Sequence, residues 1–241
     1  MRNCLILGSG RSGTSMLGGV LNAAGYYMGE KLYRARDANP RGFFEAPAIN
    51  SINEHLLRPH AASRCPYPLL RVWRSLFSAE RWLARIPLGT QIASTPKIAG
   101  RIAAEVARRP FAFKDPRFCY TLPAWRPQLP PDTVFLCIFR EPGRTAASIL
   151  RERRRKYPDL RLRLEDAFGV WNDMYQHVLR IHRHSGRWLF IHYDQMINGA
   201  AISAVEKLLG VHVDASFPDV AFDRASPIKT PAQARATYRE L

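Results

Sequence analysis

The feature that most restricts the fold of this chain is an apolar run that ends in a glycine-rich loop. Cys4-Leu5-Ile6-Leu7 is followed by Gly8-Ser9-Gly10-Arg11-Ser12-Gly13-Thr14-Ser15, and beyond it Met16, Leu17, Val20 and Leu21 recur at helical spacing. A short apolar run bounded by glycine predicts a buried strand over residues 3–7, and the spacing beyond predicts a helix over 14–24. Where a strand turns through glycine into a helix, the backbone N–H groups and the positive helix end converge on one point, which suits an anion. Arg11, Thr14 and Ser15 add donors there.

The same alternation continues along the chain. Strands are predicted over 111–114, 133–139 and 188–192, and helices over 46–57, 96–108, 142–155, 164–184 and 200–209. Residues 58–95, with several Pro and Trp, predict irregular structure and short helices. Strands separated by helices imply an α/β fold: a P-loop three-layer sandwich, with a central, mainly parallel sheet of about five strands flanked by helices. The 241 residues suit one such domain, and there is no internal repeat. Ligands bind such sheets at the carboxyl ends of the strands. Four polar clusters fall there: the glycine loop, Lys114 to Arg117, Arg140, and Tyr193 with Asp194.

The loop can be read against three patterns. As G-x-G-x-x-G it matches a dinucleotide fingerprint, which needs a second strand ending in an acid; residues 25–29 before Glu30 are a poor one. As a Walker A loop it has Thr14 where the lysine belongs, and a kinase also needs a strand-end carboxylate for magnesium, for which Asp194 is the candidate. In the third pattern the basic residue precedes the glycine, as Arg11-Ser12-Gly13-Thr14-Ser15.

Composition narrows the partners. The formal net charge is +16, and of 36 basic residues only six are lysine. The charge is dispersed rather than gathered in a stripe with aromatics, which argues against a specific nucleic acid and leaves a polyanionic small molecule or peripheral contact with anionic surfaces. Cys4, Cys65, Cys119 and Cys137 fit no zinc or redox spacing and read as buried thiols. The N-terminal apolar run is too short for a leader and no stretch is long enough to cross a bilayer, so the expected location is cytoplasmic.

The third pattern resembles the 5′-phosphosulfate loop, [K/R]-x-G-T-[S/T], of sulfotransferases that use 3′-phosphoadenosine 5′-phosphosulfate (PAPS). Arg140, at the end of the clearest strand, and Ser148 eight residues on resemble the arginine and serine with which that family holds the 3′-phosphate. Three further segments are similar: NPRGFFE (residues 39–45) to a stretch after the loop in bacterial members, FKDPR (113–117) to a segment lining the acceptor site, and WLFIHYDQMI (188–197) to the strand ending in Y-[ED]-D-L. The likeness covers residues 1–57 and 110–210.

The resemblance implies a PAPS donor, adenosine 3′,5′-bisphosphate as product, no metal, and Gly10, Arg11, Ser12, Gly13, Thr14, Ser15, Arg140, Ser148 and Tyr193 around the cofactor. It implies Arg11 at the leaving phosphate, and Lys114 at the transferring group or the leaving phosphate. The family's base is a histidine or a glutamate. Here the K-x-H segment reads Lys114-Asp115-Pro116, so Glu45 or Asp115 is the candidate. Burial beside Phe43 and Phe44 is expected to raise the Glu45 pKa. Asp115 has an alternative role as an ion-pair partner of Lys114 or Arg117.

The run from Arg151 to Lys156 reads as a solvated helix end, with flanking the cofactor or meeting an anionic acceptor as the alternative; His182 and His184 read as exposed, and Trp171 with Tyr175 as core. The resemblance also places a late basic segment over the cofactor, for which Arg224 and Lys229 are candidates. The acceptor, a small molecule, lipid or glycan, is expected against residues 30–45, 58–95 and the tail, with Tyr33, Phe43, Phe44, Tyr67 and Trp73 available to pack it. The alternatives are a P-loop kinase using ATP and magnesium through Asp194, and a basic binding protein without turnover.

Overall fold

The computed structural model describes residues 1–36, 39–61, 78–156, 162–218 and 228–241. Its centre is a parallel sheet of four strands: β1 (Cys4–Leu7), β2 (Ala112–Lys114), β3 (Val134–Phe139) and β4 (Arg187–His192), in the order β2-β1-β3-β4. Every residue of β1, β2 and β3 is buried. Both faces are covered, so period-two alternation sorts apolar residues to two cores rather than to core and solvent. Leu5, Leu7, Phe135, Cys137 and Phe139 point to one face, and Cys4, Ile6, Val134, Leu136 and Ile138 to the other.

The second face is covered by α1 (Thr14–Ala23), the short α7 (Tyr193–Ile197) and α8 (Ile202–Leu209), through Leu17, Val20, Leu21, Met196, Val205 and Leu209. The first face carries α2 (Pro47–Ala61), α3 (Pro96–Val106), α4 (Phe118–Trp125), α5 (Pro142–Lys156), α6 (Leu164–His177) and α9 (Ala232–Glu240). The result is the three-layer α/β sandwich that the strand–helix alternation predicts.

Among the described residues four strands stand where about five are expected. The fifth position, outside β2, is reduced to a single parallel bridge between Tyr27 and Phe111. Gly25 and Gly29 flank Tyr27 with φ of +88° and +125°, so the chain bends away on both sides before a strand can extend.

Three helices were not foreseen, the short α7 and two longer ones. Residues 118–125 are apolar on every side and contain Pro123, which hides a helical period. Residues 232–240 have little apolar content; their helix is held by tertiary contacts, with Ala234 and Thr237 buried and the Thr237 hydroxyl bonded to Asn172 at 2.7 Å. The helix predicted over 164–184 ends at His177 and continues as a π turn, Val178–His182. That turn rotates His182 inward. Instead of being exposed it is buried, its Nε2 3.0 Å from the Cys119 carbonyl, and burial pulls its pKa down to about 4. Trp171 and Tyr175 are core residues, as their spacing suggests. Among the described residues no helix is long and apolar enough to cross a membrane.

In this strand order the chain leaves β1 towards β2 and later returns to β3 on the other side. The connections therefore diverge between β1 and β3, which opens a crevice at the carboxyl ends of those two strands. The glycine loop follows β1 and Arg140 follows β3.

Candidate active site

The crevice is a cleft of about 900 Å³. Its floor is the glycine loop. Gly13 caps α1 with φ of +98°; no side chain caps the helix and no acid lies in its first turn, so the first amides face the cleft. Gly8 has φ of +143°, and a Cβ there would collide with the Ile138 carbonyl, so the loop can lie this close to β3 only with glycine. Arg11 takes φ of +71°, a conformation disfavoured for side-chain-bearing residues that recurs at ligand sites.

Arg11 joins the two sequence-predicted anchors. Its Nε donates to the Ser148 hydroxyl at 3.1 Å, and Nη1 donates to Asn39 Oδ1 at 3.0 Å. Arg140 lies with its guanidinium 4.5 Å from the centre of the Tyr193 ring, and that ring packs on Gly13, where a Cβ would meet it at 2.7 Å. Tyr193 thus wedges the loop against Arg140. Burial, opposed by Glu152 but reinforced by Arg140, Arg151 and Arg155, pulls the Arg11 guanidinium below its ordinary range. Four guanidinium groups close enough to repel one another, above a helix N-terminus, form a site for a polyanion.

Beyond the loop a chain of hydrogen bonds crosses the cleft. Asn39 Nδ2 donates to Ser15 Oγ at 3.1 Å, and Lys114 Nζ donates to the same oxygen at 3.2 Å. With both lone pairs of Ser15 engaged, its hydroxyl proton is left to be donated. Lys114 Nζ also donates to Glu45 Oε1 in a close ion pair, and Asn50 Nδ2 donates to Glu45 Oε2 at 2.8 Å. Glu45 follows Phe44, a second side chain held at positive φ (+52°).

The expected rise in the Glu45 pKa is reversed. Burial pushes the carboxyl up, but Lys114, Arg117 and the Asn50 hydrogen bond outweigh it and hold Glu45 below the usual carboxylate range. The aromatic neighbours dominate the sequence at 43–45; the cations come from β2's end and are invisible locally. Asp115 has the opposite fate. Burial and the nearby Glu45 raise it, against Arg117 and Asn53. It is fully buried, with Oδ1 2.9 Å from Arg117 Nη1 and Oδ2 accepting from Asn53 at 2.9 Å, and it does not line the cleft. Its ion pair is with Arg117 and not with Lys114.

Gly10, Arg11, Gly13, Thr14, Ser15, Glu45, Lys114, Arg140, Ser148 and Tyr193 all line one cleft. Ser12 does not: it is buried, with Oγ 3.4 Å from Thr145 Oγ1 on α5. Asp194 is absent from the lining too; it is exposed and paired with Arg144 at 3.3 Å. Arg151, Glu152, Arg153 and Arg155 do line the cleft, so the end of α5 is a wall of the site rather than a solvated face. Lys229 lies outside the lining, and Cys65, Tyr67, Trp73 and Arg224 fall outside the described residues.

Several site residues were not identified individually from sequence, among them Asn39, Trp82 and Tyr175. Asn39 stood only as part of NPRGFFE. Trp82, on a 3₁₀ turn (Ser78–Leu83), lies against Gly10, where a Cβ would meet its ring at 2.5 Å. Tyr175, expected only as core, places its hydroxyl under the loop: it accepts from Ser9 N at 3.1 Å and donates to the Ile138 carbonyl at 2.8 Å.

No family model matches the chain, and no curated protein matches it. Solved structures do. The sulfotransferase domain of the olefin synthase of Synechococcus PCC 7002 superposes with a TM-score of 0.51 at 17% identity, over 99% of this chain and 89% of that one. The sulfotransferase domain from the curacin biosynthetic pathway gives 0.53 at 13% identity, over 100% and 97%. The chain therefore shares the fold of bacterial sulfotransferase domains, as its motifs suggest.

Proposed function

We propose that this protein moves a sulfuryl group from PAPS to a hydroxyl or amine of a small-molecule, lipid or glycan acceptor. The observation that carries the reading is the convergence of Arg11, Arg140, Arg151 and Arg155 with Ser148 above an uncapped helix N-terminus. Repelling cations of this number suit a ligand with two separate anionic groups better than one with a single phosphate. The residues present fit such a donor: the amides of residues 13–15 and the Ser15 hydroxyl at the 5′ end, Arg140 and Ser148 at the 3′-phosphate.

When bound, the donor supplies a sulfuryl group whose bond to the 5′-phosphate oxygen breaks as the acceptor oxygen bonds to sulfur. Arg11 and Lys114 stabilise the charge left on that oxygen. Glu45, ionised at neutral pH and held by Lys114 and Asn50, accepts the acceptor's proton. The close Lys114–Glu45 pair keeps acid–base and electrostatic groups in one place. Trp82 packed on Gly10 excludes water from the loop.

Calorimetric titration with adenosine 3′,5′-bisphosphate, beside AMP and Mg-ATP, tests the reading. The bisphosphate should bind most tightly, and Arg140→Ala should weaken it about 10- to 100-fold, the worth of charge-assisted hydrogen bonds. Preference for Mg-ATP would sink the proposal and favour a kinase.

A further inference from the structure

Two asparagines stand one turn apart near the start of α2, and their side chains are served unequally. Asn53 Nδ2 donates to Asp115 Oδ2 at 2.9 Å, while its Oδ1 accepts from the Thr121 hydroxyl and from Trp125 Nε1, both at 2.8 Å. Asn50 Nδ2 likewise donates to a carboxylate, Glu45 Oε2, at 2.8 Å. Its Oδ1 is buried and has no hydrogen-bond partner among the described residues. Asn39, across the cleft, has both ends of its amide engaged, through Ser15 and Arg11.

The orientation of the Asn50 amide is fixed chemically. An ionised carboxylate only accepts, so the NH₂ end must face Glu45 and the carbonyl end must face away from it. Burial, with Glu45 and Asp115, pushes the pKa of the Tyr33 phenol up, while Arg117 and the Asn50 side chain pull it down. A downward pull is the effect of an N–H donor, so the NH₂ end serves Tyr33 as well and the carbonyl is what remains. A buried carbonyl without a donor is costly, and the fold avoids that cost at Asn53, three residues on. Asn50, Glu45 and Tyr33 all line the cleft. Asn50 is only 7% exposed, but Tyr33 is 39% exposed, and a side chain so placed changes rotamer rapidly. The amide can therefore be reached from the cleft without the fold opening.

We propose that Asn50 Oδ1 is a specificity site: it receives an O–H or N–H of the acceptor that neighbours the group Glu45 deprotonates. The inference rests on the sulfuryl-transfer reading of the same cleft. A single planar amide links the two positions, so the two donors are close neighbours on the acceptor, as in a vicinal diol, a sugar ring or an amino alcohol. In the transfer, the sulfuryl group leaves the 5′-phosphate oxygen for the reacting oxygen, whose proton passes to Glu45. The second donor is bound and not consumed.

The test uses the full chain saturated with adenosine 3′,5′-bisphosphate, whose binding is measured first. Three probes are then titrated by ligand-observed NMR: cis-cyclohexane-1,2-diol, its monomethyl ether, which keeps both oxygens but has one donor fewer, and cyclohexanol. The diol should bind roughly tenfold more tightly than either, the worth of one hydrogen bond to a buried partner. The same ratio should appear in kcat/KM with PAPS. Asn50→Leu should remove the ratio while bisphosphate affinity stays that of wild type. The ratio is read rather than the rate, because the variant also takes a donor from Glu45. Should the leucine variant fail to bind the bisphosphate, Asn50→Ala is read in its place.

Equal binding of diol and ether, no binding of any probe, or a ratio that survives in the Asn50 variants would overturn the assignment and leave the donor site standing. So would a ratio lost only in Tyr33→Phe, which would give the second contact to the phenol. If the wild-type chain fails to bind the bisphosphate, the sulfuryl-transfer reading falls, and this inference falls with it.

Discussion

Replacing Tyr175 by Phe removes one oxygen atom and leaves the ring in place. That oxygen sits under the glycine loop, accepting from Ser9 N at 3.1 Å and donating to the Ile138 carbonyl at 2.8 Å. It ties the first amide of the loop to β3, two residues before Arg140, so one phenol sets the spacing of both anchor segments. Ser9, Ile138 and Tyr175 are all fully buried, so water cannot replace the lost partner. A buried polar group left unsatisfied costs about 1–3 kcal/mol, and two such groups are affected, so a loss of about 2–6 kcal/mol follows. For a chain of this size that lowers Tm by roughly 4–24 °C. Denaturant unfolding measures the first quantity and calorimetry with adenosine 3′,5′-bisphosphate the consequence, an affinity loss of roughly tenfold as the loop relaxes. A variant within about 0.5 kcal/mol of wild type, the range of substitutions that touch nothing important, would refute the argument and return Tyr175 to plain core packing.

Two further predictions concern the carboxylates. Glu45→Gln should lower kcat by roughly 10²- to 10⁴-fold, the worth of a general base, while leaving bisphosphate affinity within about twofold. Because Glu45 is held below the usual carboxylate range, it stays ionised from neutrality down through ordinary carboxylate pH. The acidic limb of the pH–rate profile should therefore fall below that range, and the stability Glu45 contributes should be lost only as pH drops through its depressed folded pKa. Asp115→Ala should instead destabilise the fold by about 3–5 kcal/mol in denaturant unfolding, since it removes one partner of a buried ion pair, takes one of two carboxylates from Arg117 and leaves the Asn53 amide without its acceptor. A normal Tm with selective loss of turnover would restore Asp115 as a base.

What the sequence shows and what it hides divide along physical lines. Local signals are legible: the strand–glycine–helix turn, the end of β3 at Arg140, and Ser148 two helical turns further on were all placed correctly, because each depends on residues adjacent in the chain. The cleft that brings them together was inferred from strand ends alone. Electrostatic environment was not legible. Glu45 beside two phenylalanines looks like an acid with a raised pKa, yet Lys114, sixty-nine positions away, decides the sign. The same holds for Asp115, where Arg117 is near in sequence but Asn53 and Glu45 are not. The basic end of α5 looks like any solvated helix end until β3 aims the helix at the loop. Tyr175 carries no local hint that its hydroxyl has a task beyond packing.

The identity of the cations follows from the same geometry. Arg11 is buried among Arg140, Arg151 and Arg155, and both burial and repulsion favour its neutral form. An arginine starts from the highest pKa of the basic side chains and keeps its charge through such a shift, whereas a lysine under the same burial and repulsion starts lower and is carried towards neutrality. A loop cation that lost its proton in the empty site would have to regain it before a polyanion could bind. Lysine serves at position 114, where Glu45 lies against its ammonium group. On the crowded wall, by contrast, the fold sets cation beside cation, and there the chain uses the side chain that keeps its charge under burial and repulsion.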